Sequence, residues 1–119
     1  MYIEKDNKSV NILGTEYNIL FLKETDERLQ KLQADGYADT TTKELVIGYF
    51  EPDERSMKDL DTYQKKVMRH EIIHAFFYES GLWNNSNDVG SWALNEEMTD
   101  WIAIQHSKLH KAFEEAGAL

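Results

Sequence analysis

The chain has 119 residues, of which 41% are hydrophobic and 29% charged, with a formal net charge of −9 and no cysteine. This length suits one domain around a single core. The absence of cysteine excludes disulfides and thiolate metal sites, so any metal must be held by histidine and carboxylate side chains. The acidic balance argues against a nucleic-acid partner, because phosphate binding needs clustered Lys and Arg.

The N-terminal residues, MYIEKDNKSVN, are polar and contain no apolar segment typical of a signal peptide. No apolar run in the chain approaches the length of a membrane span. These features predict a cytoplasmic protein without a membrane partner. They give no indication of the oligomeric state.

The first predicted elements are two strands, Ser9–Leu13 and Glu16–Leu22, which form a hairpin. A short helix is predicted over Asp26–Gln33 from the spacing of its leucines. A second pair of strands follows and turns at Thr41–Lys43. Its second member, Glu44–Phe50, is dense in β-branched and aromatic residues.

Two longer helices are predicted after the strands. The first runs from about residue 57 or 62 to residue 80, where Gly81 is favourable just beyond a helix end. The second covers about 91–106 with Ser91 as its cap, and a weaker terminal helix follows it. Strands first and helices later predict a single α+β domain over residues 1–119, with a small, mostly antiparallel sheet of three or four strands packed on these helices.

Residues 70–74 read HEIIH and lie on the first of these helices. Because each residue turns about 100°, His70, His74 and Glu71 share one face while the bulky apolar residues lie opposite. Two imidazoles one turn apart can bind one ion, and Glu71 beside them can take a proton from a metal-bound water. The motif therefore predicts a metal site with a general base.

A catalytic zinc site needs a third protein ligand and an open position for water. The segment NEEMTD at 95–100 offers carboxylates on the second helix. Glu96 and Asp100 are four residues apart and share a face, so Glu96 is the predicted third ligand and Asp100 the acceptor of a ring N–H from His70. Glu97 is the alternative ligand. A solvated acidic face without a metal is the competing interpretation.

The two motifs together resemble those of gluzincin peptidases, in which H-E-x-x-H is followed by N-E-x-x-x-D on the next helix, as in thermolysin-like enzymes. The short chain and its order of sheet, active-site helix and ligand helix are similar to the compact minigluzincins and to the ImmA/IrrE-like peptidases of phages and mobile elements. The resemblance implies a zincin-like fold and a zinc-dependent metalloendopeptidase with one Zn²⁺ per chain. It implies His70, His74 and Glu96 as ligands, Glu71 as general base and Asp100 as the orienting carboxylate.

The same resemblance implies how a peptide or protein substrate would bind. An extended substrate would pair with a strand at the edge of the sheet above the cleft. Either Tyr37–Thr40 or Leu45–Phe50 is predicted to be that strand.

The sequence offers no assured group to stabilise the oxyanion of the tetrahedral intermediate. Tyr78 lies on the face of the metal site, but a packing role is the more common interpretation. A catalytically weak or latent zinc-binding module that acts on one specific partner is therefore the alternative function. A helical domain without any metal would require both motifs to be coincidence. His106 and His110 lack a supporting carboxylate for a second metal pair.

The other large aromatic side chains of the helical half are expected to pack in the core or between helices. They are Phe76, Phe77, Trp83, Trp92, Trp101 and Phe113.

Overall fold

The protein is described by a computed structural model that covers residues 5–52, 59–85 and 95–119. These residues form an α+β domain with a four-stranded sheet. The strands are β1 (Lys8–Ile12), β2 (Thr15–Lys23), β3 (Gly36–Asp39) and β4 (Glu44–Tyr49), and the helices are α1 (Glu27–Leu32), α2 (Leu60–Glu79), α3 (Leu82–Asn85) and α4 (Glu96–Glu115). Within the described ranges, no helix is both long and apolar enough to cross a membrane.

The sheet has the strand order β1-β2-β4-β3. Both predicted hairpins are confirmed, since β1 pairs antiparallel with β2 and β3 pairs antiparallel with β4. The central strands β2 and β4 are parallel, so the sheet is mixed. Because β4 lies between β2 and β3, the prediction that 45–50 could be an edge strand is wrong. The edge beside the helices is formed by β3.

The core lies between one face of the sheet and α2. Alternate residues of β2 point towards it, as the two-residue period of a strand requires, and β4 and α2 supply the facing side chains. The buried residues of this cluster are Ile12, Tyr17, Ile19, Phe21, Leu45, Ile47, Val67 and Ala75. This packing fixes α2 against the sheet, and with it the HEIIH motif.

Helix α2 has the predicted ends. Asp59 caps its N-terminus by accepting a hydrogen bond from the Thr62 N–H at 3.0 Å, and Gly81 follows its last turn with φ 86°. The face that it buries includes Glu71 and His74. The bulky Ile72 on the opposite side is only partly buried. The metal-site face of α2 therefore lies against the sheet rather than in solvent.

Helix α4 is longer than predicted. It begins at Glu96, directly after its N-cap Asn95, whose side chain accepts a hydrogen bond from the Met98 N–H at 2.8 Å. It continues without interruption to Glu115. The predicted end near residue 106 and the separate terminal helix are wrong, because the first glycine after the cap is Gly117, with φ 67°. Residues 91–94, including the predicted cap Ser91, lie outside the described residues.

Several aromatic side chains that were expected to pack are exposed. The exposed fraction is 39% for Phe76, 54% for Trp101 and 49% for Phe113. Phe77 is half-buried, and Trp92 lies outside the described residues. Trp101 and Phe113 belong to α4, in which no residue after Ala103 is buried.

A half-buried carboxylate joins the C-terminal end of α2 to the sheet. Glu79 accepts hydrogen bonds from the Tyr17 hydroxyl at 2.6 Å, the Lys43 ammonium at 2.9 Å and the Thr15 hydroxyl at 3.0 Å. The hydrogen bond from Lys43 is the largest cause of a lowered pKa at Glu79, followed by that from Tyr17. The ionised form of Glu79 is therefore the form that stabilises the fold.

We expect Glu79→Gln to lower the free energy of unfolding at neutral pH by about 1–2 kcal/mol, because hydrogen bonds to a charged group are lost. A carboxyl whose pKa is lowered on folding contributes stability above its unfolded pKa, and this contribution is lost as the pH falls through the folded pKa. Urea unfolding of both proteins as a function of pH measures the effect. The difference should disappear in acid, and a difference that persisted there would contradict the assignment.

Candidate metal centre

Three predicted ligands come together between α2 and α4. His70 Nε2 lies 2.9 Å from Glu96 Oε2, His74 Nε2 lies 2.9 Å from Glu96 Oε1, and the two Nε2 atoms are 3.1 Å apart. The histidines occupy successive turns of α2, with ring centroids 4.7 Å apart. No other group of three or more His, Asp or Glu in the described part of the chain is suited to hold an ion.

Asp100 fixes the orientation of His70. Its Oδ1 atom lies 3.1 Å from His70 Nδ1, and because a carboxylate only accepts, the ring must donate through Nδ1–H. In the neutral imidazole, Nε2 then carries a lone pair. That lone pair faces a carboxylate oxygen of Glu96, so two acceptors meet at hydrogen-bond distance and a cation between them would remove their repulsion.

The donor set fits a zinc ion. Two imidazole nitrogens and one carboxylate oxygen are the ligands of the His₂Glu catalytic type. The two histidine–Glu96 distances end on different oxygens of Glu96, and one ligand atom from each of the three residues lies within 4.8 Å of the others. The Glu96 side chain is 69% exposed, which leaves a side open for water or substrate.

The Glu71 side chain lies beside this cluster and not within it. It is 6% exposed, and burial is the largest cause that raises its pKa to about 7. The carboxyl lines the cleft next to His70 on one side and β3 on the other. It is therefore placed to exchange a proton with a molecule in the cleft rather than to bind the ion.

Two cavities flank the cluster below the edge of β3. The first, of about 220 Å³, is bounded by Asp35, Tyr63, Lys66 and Asp100. The second, of about 330 Å³, is bounded by Tyr37, Ala38, Trp83 and His74. Gly36, His70, Glu71 and Glu96 line both. Residues of β3 thus line the cleft beside the ligand cluster.

Gly36 allows α2 to approach β3 this closely. A Cβ atom at this position would lie 2.9 Å from Val67 Cγ1 and 3.0 Å from the Val46 carbonyl oxygen. Both distances are shorter than ordinary van der Waals contact, and Val67 is buried. A larger residue would separate the edge strand from the turn of α2 that carries Glu71.

The other predicted candidates lie away from the cluster. Glu97 is exposed and contributes no ligand atom to it. The Tyr78 ring contacts Trp83 edge-on at 5.7 Å and lies under the Lys43 ammonium at 5.0 Å, so its position is that of a packing residue. His110 pairs with Glu114 at 2.8 Å on the surface, so the expectation that this pair lacks a supporting carboxylate is wrong. His106 is exposed, and these residues are not among the described groups suited to hold an ion.

Two residues near the site were not identified from the sequence. Lys66 donates to Asp100 Oδ1 at 3.0 Å, the oxygen that also binds His70. Its position four residues before His70 was a usable signal, because i, i+4 residues share a helix face. Trp83 was expected only to pack, but its ring lies 5.9 Å from that of His74 and also lines the cleft.

No known protein-family model, curated protein or solved structure matches this chain. What the cluster could do therefore follows from its own chemistry: its three side chains could hold a metal ion, with a buried carboxyl and an open cleft beside them.

We expect Asp100→Asn to weaken zinc affinity about 10- to 100-fold, as loss of an orienting carboxylate typically does. In the parent protein, the negative charge of Asp100 balances Lys66 and raises the basicity of His70. The amide of asparagine lacks this charge. Competition with a chromophoric chelator measures the affinity, with Glu97→Gln as the control on the same helix. Equal affinities of Asp100→Asn and the parent protein would contradict this role.

Proposed function

We propose that this protein is a zinc-dependent metalloendopeptidase with a zincin-like fold. The observation that carries the proposal is the convergence of His70, His74 and Glu96 on one point, with Asp100 orienting the first histidine. Glu71, buried in the cleft beside them, supplies the general base that peptide hydrolysis needs.

The roles of the residues follow from their positions. His70, His74 and Glu96 would hold the ion, which would supply a Lewis acid and lower the pKa of a bound water. Glu71 takes the proton of the attacking water and later delivers it to the leaving amine. Asp100 keeps the Nδ1 proton on His70, so that Nε2 faces the ion.

The substrate would be an extended peptide paired with β3. Gly48 N–H donates to the Asp35 carbonyl at 2.8 Å, so in the alternating antiparallel ladder Tyr37 also turns its backbone groups towards β4. Gly36 and Ala38 then present theirs to the free edge, above the metal centre. A peptide that pairs with these two residues would have its backbone next to Glu71 and the ion.

A zinc-binding module without efficient hydrolysis is the second candidate, and the state of the donors in the cleft favours it. The Tyr63 hydroxyl donates to Asp35 and the Lys66 ammonium to Asp100. Both of these donors in the first cavity are therefore engaged, and either would have to exchange partners to stabilise an oxyanion. Such a module would bind zinc and a specific protein partner without cleaving unstructured peptides.

Two measurements on the same preparation distinguish the candidates. Elemental analysis of protein purified without added metal should give one zinc per chain. Mass spectrometry of an unstructured peptide library should then show internal cleavage that a chelator abolishes and zinc restores. If the protein contained zinc but cleaved no peptide, the zinc-binding module would be the remaining candidate. Absence of zinc, with none taken up on incubation, would remove both.

A further inference from the structure

The distal half of α4 is largely exposed in the described structure. Thr99 and Ala103 are the only buried residues of this helix, and none after Ala103 is buried. The Cα radius of gyration, 15.4 Å, exceeds the roughly 13.5 Å of a compact chain of this length. Of the residues after Ala103 in this helix, only Gln105 and Leu109 are half-buried. The outer surface of α4 is therefore available for a contact that the single chain does not provide.

An apolar stripe runs along the outer side of α4. Trp101 and Ile104 are 54% and 48% exposed, and Glu97 and Lys108 extend the stripe at each end. By helix geometry these four residues lie within an arc of about 60°, roughly 150° from the residues that pack on α2. Glu97 and Lys108 form no ion pair within the described part of the chain. We call Glu97, Trp101, Ile104 and Lys108 the outer stripe.

The outer stripe is complementary to itself in the antiparallel direction. Its spacings are four, three and four residues, the pattern of a coiled-coil seam. When two copies lie antiparallel about a twofold axis, Trp101 of one packs on Ile104 of the other, and each Glu97 meets the other chain's Lys108. In the parallel direction Glu97 would face Glu97, and Lys108 would face Lys108.

We propose that the outer stripe is a homodimer interface in which two α4 helices pack antiparallel. The occupant is a second copy of this chain, because both the charges and the apolar positions match under the twofold rotation that an isologous interface requires. The apolar centre must overcome the repulsion of two chains with a net charge of −9 each. The stripe lies on the side of α4 away from α2, so this proposal does not depend on the peptidase function.

Sedimentation velocity of the parent chain at increasing concentration tests the proposal. We expect a species of twice the 13.9 kDa chain mass. Trp101→Glu should weaken association about 100-fold, as loss of a central aromatic contact does. The matched control is Leu32→Glu, which introduces the same charge at a 58% exposed leucine on α1 and should leave the dimer intact.

Charge reversal tests the antiparallel register. Glu97→Lys alone places like charges opposite each other at both ends of the stripe, and we expect it to raise the dissociation constant about 10-fold. Adding Lys108→Glu should restore the parent value. Far-UV circular dichroism confirms that each variant is folded. A parent chain that stays monomeric at high micromolar concentration, or a double variant that is not restored, would overturn the proposal.

Discussion

Replacing Glu96 by alanine should abolish stoichiometric zinc binding. Glu96 supplies the only carboxylate oxygens within 2.9 Å of His70 Nε2 and His74 Nε2 in the described structure. Two histidines alone leave the ion without its third protein ligand. We expect the loss of affinity to exceed the roughly 10- to 100-fold that removal of an orienting residue causes. Elemental analysis after gel filtration measures it.

Glu97→Ala is the matched control for this result. Glu97 carries the same charge one residue further along α4, but its side chain lies outside the ligand cluster. It should retain one zinc per chain. If Glu96→Ala retained zinc and Glu97→Ala lost it, the third ligand would be Glu97 and not Glu96.

Glu71→Gln should keep zinc and lose peptidase activity by about 10²- to 10⁴-fold, the typical contribution of a general base. Glutamine has nearly the same shape, so the buried site beside His70 is preserved while the proton acceptor is removed. The rate of cleavage of a zinc-dependent library peptide and the zinc content of the same sample measure the two effects.

Glu79→Gln controls for the substitution itself. It makes the same change on α2 but lies among Thr15, Tyr17 and Lys43 rather than in the cleft. Below its unfolding temperature it should cleave at close to the parent rate. Parent activity in Glu71→Gln would exclude Glu71 as the base, and loss of zinc from that variant would make its inactivity uninformative.

Local sequence signals predicted the elements that local chemistry determines. Gly81 marks the predicted end of α2, and alternating apolar residues in β2 indicate a strand with one buried face. The parallel pairing of β2 with β4 could not be predicted in this way, because it depends on a crossover through α1 and β3. The predicted break near residue 106 does not occur, because no glycine or proline lies between Asn95 and Gly117.

For the site, helix periodicity was sufficient to group the ligands. The i, i+4 spacing within each of α2 and α4 placed His70 with His74 and Glu96 with Asp100, and the structure brings the pairs together. Tyr63 and Asp35 line the cleft only because β3 lies close to α2, and Gly36 permits this close approach. No sequence pattern indicates that approach, so the residues that line the cleft could be identified only from the tertiary structure.

The division of the metal centre between α2 and α4 has a consequence for the stability of the whole chain. Helix α4 buries only Thr99 and Ala103, so an ion held by His70, His74 and Glu96 would act as a non-covalent cross-link between it and the body of the domain. Zinc at a thousandfold excess over its dissociation constant would add about 4 kcal/mol to the free energy of unfolding. Scarcity of the metal would then release the ligand helix and expose the chain to degradation, so that zinc supply would set the lifetime of the protein as well as its activity.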